Sequence, residues 1–208
     1  MICKQQGVPG ISRHPLLLQK AVDFYTSYRC NYDLCLMLKV SITGPESTGK
    51  STLAERLARQ YSTVWVPEFA RTYVGNLGRP YTPEDLEAIA HGQLALEQEM
   101  QLQAKNIFFS DTDLLVIKIW SEHAFGHCPA WIQEKLKQQN YNLCLLMGVD
   151  LPWEPDPQRE HPHLRTYFYE WYKSELQALE VPFVEISGQQ EERLQLACRH
   201  VDALLQKH

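Results

Sequence analysis

Apolar residues are distributed along the chain in two ways, as short continuous stretches and as helical repeats. The continuous stretches predict strands at residues 36–43, 62–66, 106–113, 141–147 and 181–186. Apolar residues spaced three or four positions apart predict helices at 53–61, 82–104, 114–120, 131–138, 164–179 and 194–204. This alternation favours a three-layer α/β/α fold around a mainly parallel, five-stranded sheet.

The longest helical segment, residues 82–104, has a well-marked start. Thr82 can act as N-cap, Pro83 occupies the first helical position, and Glu84 and Asp85 place negative charge in the first turn. Helical spacing then predicts a buried stripe formed by Leu86, Ile89, Ala90, Leu94, Met100 and Leu102.

The first 35 residues carry little structural signal. Gly7, Pro9, Gly10 and Pro15 interrupt regular structure there, although residues 21–28 have the spacing of a short helix. We expect an N-terminal extension over residues 1–35, followed by one domain over residues 36–208, a length that can bury a core of its own.

Composition and charge exclude several classes of partner. Hydrophobic residues make up 44% of the 208 residues and charged residues 22%, as in ordinary globular proteins. A net charge of -5 argues against nucleic acid or an anionic membrane as the main partner. The six cysteines form no C-x-x-C pair, and neither a membrane-length apolar run nor a secretion signal is found. The sequence therefore predicts a cytoplasmic protein, and it leaves a homo-oligomer open.

Residues 44–51, which follow the first predicted strand, fit the phosphate-binding pattern G-x-x-x-x-G-K-[ST] in full. Gly44 and Gly49 allow the backbone N–H groups to approach phosphate oxygens, and the following helix adds the positive end of its dipole. Lys50 can neutralise the β and γ phosphates, and the Ser51 hydroxyl can bind Mg²⁺. The pattern predicts ATP and Mg²⁺ as cofactors, with nucleotide contacts from Gly44, Glu46, Ser47, Thr48, Gly49, Lys50, Ser51 and Thr52.

Two further segments place charges at the carboxyl ends of predicted strands. Glu68 and Arg71 follow the second strand, while Asp111 and Asp113 end the third. An apolar strand that runs into Asp is the Walker-B arrangement, in which the carboxylate reaches Mg²⁺ beside the serine of the phosphate loop. Since parallel strands share one carboxyl edge, we expect these side chains to lie near the phosphate loop.

A proline-rich segment, residues 148–157, follows the fourth strand and leads to Arg159 and Arg165. A loop that carries arginines at this place is typical of a nucleotide lid, because Arg can neutralise the transferring phosphoryl group and closure excludes water. Arg159 is the better candidate for this role, since Arg165 is equally consistent with an ordinary charge on a helix face.

A phosphate loop occurs in several classes of enzyme, and motifs elsewhere in the chain distinguish among them. Guanine-specific proteins carry an N/T-K-x-D element, but residues 148–151 read GVDL after the fourth strand. The large AAA and ABC machines carry sensor arginines or a signature motif that we do not find in the sequence. The short chain, the carboxylates and the arginine-bearing lid favour a small-molecule kinase.

Four segments, GPESTGKST, PEFARTY, FFSDTD and DLPWEPDPQR, together resemble the kinase domain of NadR-type ribosylnicotinamide kinases over about residues 36–200. The resemblance implies a nucleoside-kinase-like fold with a lid and transfer of phosphate from ATP, with Mg²⁺, to the 5′-hydroxyl of nicotinamide riboside. Members of that family often carry an adenylyltransferase domain as well. The sequence contains no H-x-G-H signature, so we expect only the kinase activity, in standalone form.

Chemistry and resemblance together assign roles to the charged residues. Glu68 is the candidate base for the acceptor hydroxyl, against the alternative of a surface Glu paired with Arg71. Arg71 would hold substrate or phosphate, unless it is a solvated charge at a helix start. Asp111 would serve Mg²⁺ or act as the base. Asp113 would bind the ribose diol, or it would cap the next helix.

The lid contributes two candidates. Arg159 is expected to contact the nucleotide and to take part in catalysis. Trp153 would stack on a substrate ring, although packing against Pro152 and Pro155 is an equally good explanation.

A second function from another class also fits the phosphate loop. In that alternative the chain is a P-loop ATPase that acts as a regulatory switch, and no small molecule is phosphorylated. The two differ in ATP turnover without an acceptor, which should be low for a kinase that needs its lid closed.

Overall fold

The computed structural model describes residues 37–208. The predicted extension over residues 1–35 and the short helix predicted at residues 21–28 lie outside these described residues. The elements are β1 (Leu38–Thr43), α1 (Lys50–Gln60), β2 (Trp65–Val66), α2 (Phe69–Gly75), α3 (Pro83–Gln103), β3 (Ile107–Asp111), α4 (Leu114–Phe125), α5 (Ala130–Gln138), β4 (Leu143–Met147), α6 (Arg165–Ala178), β5 (Phe183–Ile186) and α7 (Gln190–Leu205).

The strands form one five-stranded sheet in the order β2-β3-β1-β4-β5. Each neighbouring pair is parallel, which confirms the predicted α/β class with a parallel sheet. The chain adds β2 and β3 on one side of β1 and then β4 and β5 on the other. The carboxyl end of β1 therefore lies at the point where the strand order reverses, which is where open α/β sheets bind ligands.

Both faces of the sheet are covered by helices, because successive strand residues point to opposite faces. In β4, Leu145 packs in a cluster with Leu57 of α1 and Val201 of α7. Its neighbour Leu146 packs in a second cluster, with residues of α3, α4 and α5 and with Phe168 of α6. These two apolar clusters hold the sheet between helical layers and fix the positions of the strand ends.

The first turn of α3 is capped as the sequence predicts, but the buried face of its last turns differs from the predicted apolar stripe. Thr82 and Asp85 form a reciprocal capping box, with Pro83 at the first position. Leu86 and Ile89 are buried, but Leu102 is 69% exposed, so its predicted place in the buried stripe is wrong. The stripe in fact continues through polar residues, first Gln93 and then Glu97, and it ends with Met100 and Ala104 against β2 and β3.

The second strand is shorter than predicted, and the segment after it contains a helix that is absent from the predicted elements. β2 contains only Trp65 and Val66, and the following Pro67 cannot donate a ladder hydrogen bond, so the strand stops there. The short helix α2 then begins at Phe69 and contains no buried residue. Its apolar residues at positions 69, 70, 73 and 74 pack on the core while staying partly exposed, and in a helix of seven residues this spacing covers little more than one repeat, which is a weak signal.

Among the described residues, no helix combines the length and the apolar character that crossing a membrane would require.

Candidate active site

The phosphate loop connects the central strand β1 to α1 through two glycines that need backbone freedom. Gly44 has φ +130°, and a Cβ there would lie 3.1 Å from the carbonyl oxygen of Met147 in β4. Gly49 has φ +80° and is the N-cap of α1, whose first turn contains no acidic residue. Positive φ values favour glycine, and an uncapped helix N-terminus binds anions. The local structure thus leaves the α1 N-terminus free for a phosphate group.

Polar side chains brace the phosphate loop from within. The Lys50 ammonium donates to the carbonyl oxygens of Gly44 at 3.0 Å and Pro45 at 2.9 Å. The Thr48 hydroxyl is buried and donates to the Pro45 carbonyl at 2.8 Å. Thr48 therefore supports the loop through its side chain, whereas Lys50 lines the cavity with an ammonium that can reach a bound anion.

Ser51 and Thr52, the first residues after Lys50, lie at the start of α1 and line the same cavity.

Asp111 ends β3, pairs in register with Ile42 of β1, and is 1% exposed. Its Oδ1 has no hydrogen-bond partner among the described residues. Burial, together with the charge of Glu68, raises the pKa of Asp111 to about 6, although Lys50 and a hydrogen bond with Ser51 act in the opposite direction. A buried carboxylate beside a serine hydroxyl, with one oxygen free, has the chemistry of a Mg²⁺ ligand pair.

Glu68 is half-buried, precedes α2 as its N-cap, and makes no side-chain capping bond. Its side chain lines the same cavity as the phosphate loop. Arg71 also lines that cavity, but its ion pair is with Asp156 at 3.0 Å, and not with Glu68. The hydrogen bond from Arg71 to Asp156 raises the pKa of the guanidinium, which remains a permanent positive charge. Arg71 thus connects α2 to the loop that precedes α6.

That loop, residues 148–164, contains the predicted lid. Two residues of the phosphate loop, at positions that the G-x-x-x-x-G-K-[ST] pattern leaves unspecified, form hydrogen bonds with it. The Ser47 hydroxyl accepts from the Glu154 N–H at 2.8 Å and from the Arg159 guanidinium at 3.4 Å. The Glu46 carboxylate accepts from the N–H groups of Glu160 at 3.1 Å and His161 at 3.4 Å. Burial raises the pKa of Glu46, and these hydrogen bonds oppose the shift. Glu46 and Ser47 were predicted as nucleotide contacts; their side chains here bind the lid.

The two lid arginines occupy different environments. Arg159 lines the cavity. Arg165 donates to the carbonyl oxygens of Ser47 at 3.0 Å and Leu151 at 2.9 Å, and its guanidinium lies 5.9 Å from the ring centroid of Trp153. Trp153 is therefore packed on Arg165 and is not among the residues that line the cavity.

Asp113 is a helix cap in this structure. It is 2% exposed, and its carboxylate accepts from the N–H groups of Leu115 at 2.9 Å and Val116 at 3.4 Å. These bonds and one from Ser41 oppose the effect of burial, which raises its pKa. Of the two predicted roles, capping is the one that the contacts show, and Asp113 does not line the cavity.

Arg193, in the first turn of α7, was missed from the sequence although it is only 2% exposed. It donates to the carbonyl oxygens of Gly188 at 2.8 Å and Gly148 at 3.1 Å, to that of Thr48 in the phosphate loop, and to the Asp150 carboxylate. A signal was present: Arg193 lies four residues before Ala197 and eight before Val201, on the buried stripe.

One cavity of about 560 Å³ lies between the phosphate loop, α2, α4, α6 and the lid; Ser51 and Thr112 line it, whereas Asp111 lies behind its wall. Besides the phosphate loop, Glu68 and Arg71, it is lined by aromatic side chains that sequence reasoning did not select: Tyr81, Trp120, Phe168 and Tyr172. Tyr81 and Trp120 are in contact, with ring centroids 6.2 Å apart. Burial and the charge of Glu160 raise the pKa of Tyr81 to about 12. The cavity therefore connects a phosphate site to an aromatic pocket with acidic neighbours.

Comparison with known proteins agrees with this geometry. The curated trifunctional NAD biosynthesis/regulator protein NadR of Salmonella typhimurium is 28% identical over 126 residues, which are 58% of this chain and 30% of that protein. A crystal structure of NadR protein in complex with NR matches with a TM-score of 0.70 at 20% identity, over 83% of this chain and 52% of that one. Deoxyadenosine kinase from M. mycoides with bound dCTP matches with a TM-score of 0.51 at 11% identity, over 80% of this chain and 100% of that one.

These matches confirm the resemblance to NadR and the nucleoside-kinase-like fold. The chain spans about 30% of the length of the curated relatives it matches. The family model described as an AAA domain matches residues 39–193, from the second residue of β1 to Arg193 in α7. The chain therefore belongs to the AAA domain family.

Proposed function

We propose that this chain is a kinase that transfers the γ phosphate of ATP to the 5′-hydroxyl of nicotinamide riboside or a closely related nucleoside. The observation that carries the proposal is the single cavity lined by the phosphate loop, by Glu68 and by the aromatic pocket. Similarity to NadR supports it, since NR is the abbreviation of nicotinamide riboside and one similar NadR structure contains that molecule.

The nucleotide end of the cavity would bind ATP through the backbone of residues 44–49 and the N-terminus of α1. The Lys50 ammonium, which now binds two loop carbonyls, would turn to the β and γ phosphates. Arg159 would approach the transferring phosphoryl group from the lid, since its guanidinium already lies 3.4 Å from Ser47 in the phosphate loop.

The donors present fit a magnesium ion. Ser51 and Asp111 would hold it, because Asp111 offers a buried, unpartnered oxygen beside the serine. The bound ion would neutralise charge on the β and γ phosphates. Within the described residues no group of three His, Cys, Asp or Glu side chains could hold a metal ion, so phosphate oxygens and water would supply the remaining ligands.

Glu68 would accept the proton of the acceptor hydroxyl as that oxygen attacks the γ phosphorus. Its carboxylate lines the cavity and is not occupied by an ion pair or a capping bond among the described residues. Closure of the lid, which the phosphate loop holds through Glu46 and Ser47, would exclude water from the same position.

The aromatic pocket suits the base of this nucleoside. A pyridinium ring is flat and positively charged, so it gains from aromatic faces and from nearby carboxylates. Tyr81 and Trp120 supply the faces, while Glu68 and Glu160 supply negative charge around the same cavity. Arg71 would contact the ribose side of the acceptor or the transferred phosphate. The contacts of Asp113 and Trp153 give them structural roles, so we assign neither to the substrate.

The test is ADP formation by the purified chain with Mg-ATP across a panel of nucleosides, with the product identified by mass. We expect phosphorylation of nicotinamide riboside and little ATP turnover without an acceptor. Glu68→Gln should reduce kcat by about 100- to 10,000-fold and leave ATP binding intact, whereas Glu99→Gln, on the exposed face of α3, should not change kcat. Equal ATP turnover with and without every acceptor would instead favour the ATPase switch.

A further inference from the structure

The two proposed catalytic carboxylates, Glu68 and Asp111, belong to different segments, and one buried side chain is hydrogen-bonded to both segments. Gln93 in α3 is 1% exposed. Its Oε1 accepts from the N–H of Phe69, the residue after Glu68, at 2.9 Å. Its Nε2 donates to the carbonyl oxygen of Thr112, the residue after Asp111, at 3.4 Å.

The Asp111 segment needs such support because its backbone is strained. Thr112 has φ +81°, which a β-branched residue rarely adopts. Its N–H donates to the Ile42 carbonyl at 3.2 Å, and its own carbonyl accepts from the Ser110 hydroxyl at 2.8 Å as well as from Gln93. These hydrogen bonds hold the turn that directs the Asp111 side chain.

The Glu68 segment depends on contacts with the neighbouring helix α3, since α2 has no fully buried residue of its own. The Phe69 ring lies directly over Gly92, the residue before Gln93. A Cβ at Gly92 would be 2.2 Å from the nearest carbon of that ring. Gly92 and Gln93 thus form one docking point on α3, in which the glycine receives the Phe69 ring and the amide binds the Phe69 N–H.

We propose that Gln93 is a positioning residue that fixes the distance between Glu68 and Asp111. This inference rests on the proposed function. An uncharged side chain that donates at one end and accepts at the other is needed here, and among the ordinary side chains of this length only Gln provides both in a single protonation state at every pH. Ionised Glu would keep the acceptor for Phe69 but turn a second acceptor toward the Thr112 carbonyl. Leu would lose both hydrogen bonds.

The experiment compares Gln93→Leu and Gln93→Glu with matched controls on the exposed face of the same helix, Gln98→Leu and Gln98→Glu. Because misplaced catalytic groups cost up to about 100-fold in rate, we expect kcat for phosphorylation of nicotinamide riboside to fall about 10- to 100-fold in both Gln93 variants. The KM for ATP should stay within about threefold, since the phosphate loop is not held by Gln93. A kcat within about threefold of wild type in Gln93→Leu would overturn the proposal.

The pH profile separates positioning from a loss of folded protein. A buried Glu has a raised pKa, and the protonated carboxyl group of the Gln93→Glu variant can donate to Thr112 while it accepts from Phe69, as the Gln amide does. The ratio of Gln93→Glu kcat to wild-type kcat should therefore rise from pH 8 to pH 6, while the ratio for Gln93→Leu stays constant. Identical pH dependence of the two ratios would contradict the donor and acceptor roles.

An activity-independent measurement keeps this inference distinct from the proposed function. Amide hydrogen exchange followed by NMR should show faster exchange at Phe69 in Gln93→Leu than in wild type, with unchanged exchange in β4. If wild type does not phosphorylate nicotinamide riboside, the proposed function fails and the exchange at Phe69 alone decides about Gln93. Unchanged exchange there would refute the positioning role; faster exchange would support it.

Discussion

The nucleotide end of the cavity is built from eight consecutive residues, 44–51, whereas the acceptor end takes side chains from α2, α3, α4, α6 and two loops. At the nucleotide end the binding groups are mainly backbone N–H groups and a helix N-terminus, so the fold of one loop is sufficient. At the acceptor end the groups are side chains such as Tyr81, Trp120 and Glu68, which meet only after the helices have packed. The first end is therefore readable from sequence, and the second depends on tertiary structure.

The largest effect should come from the nucleotide end, through Lys50→Ala. This change removes the point charge that would stabilise the β and γ phosphates, so we expect kcat to fall about 1,000-fold. Lys137→Ala, at an exposed position in α5, is the matched control. The KM for the nucleoside should hardly change, because the acceptor end does not contain Lys50. Turnover near the wild-type rate would remove the phosphate loop from the mechanism.

Asp111→Asn should reduce activity and increase stability at the same time. Without the carboxylate the proposed Mg²⁺ site loses a ligand, and kcat should fall about 100-fold. The free energy of unfolding of the metal-free protein at pH 7.5 should rise by up to about 3 kcal/mol, since the folded state buries a charge whose pKa is about 6 instead of the ordinary 3.8. Denaturant titration measures this change. A loss of stability would show that the Asp111 carboxylate is satisfied within the protein.

The same pKa sets a pH dependence with a definite sign. Asp111 loses its charge as the pH falls through about 6, so the proposed metal ligand is lost on the acid side. At subsaturating Mg²⁺, kcat/KM for ATP should decrease about tenfold per pH unit below that value. The stability contribution has the opposite sense, because the folded state binds this proton more tightly than the unfolded chain does. The Asp111 contribution to the free energy of unfolding should therefore fall as the pH rises from about 4 to about 6. An acid limb that persists unchanged in Asp111→Asn would assign it to another group.

The difference between the nucleotide end and the acceptor end also explains which residues could be predicted from the sequence. The order and class of the elements followed from local apolar patterns, and the phosphate loop and Asp111 followed from motifs at strand ends. Trp120 could not be selected, because an aromatic residue on an apolar helix is usually core and only packing exposes this one to a cavity. Gln93 and Arg193 were missed for a related reason. Each is a polar residue within a buried stripe, and its partners are mainly backbone groups that leave no sequence signature.

A change confined to the acceptor end is Trp120→Leu. Loss of a stacking surface for the base should raise the KM for nicotinamide riboside about tenfold, while the KM for ATP stays unchanged. Tyr167→Leu on α6 is the control, since that aromatic side chain is 56% exposed and does not line the cavity. If Trp120→Leu raised both KM values equally, Trp120 would affect ATP binding as well, and the nucleotide and acceptor ends of the cavity would not bind their ligands independently.

The smallest expected effect concerns the contact between α2 and the lid. Asp156→Asn removes the charge that pairs with Arg71, and an ion pair whose side chains are 48% and 21% exposed is worth at most about 1 kcal/mol. The KM for the nucleoside should therefore change by less than about fivefold, and raising the ionic strength should shrink the difference from wild type. Arg71→Ala removes the same pair together with the guanidinium. A much larger loss in Arg71→Ala than in Asp156→Asn would show that Arg71 acts on the substrate, because the pair with the lid is absent in both variants.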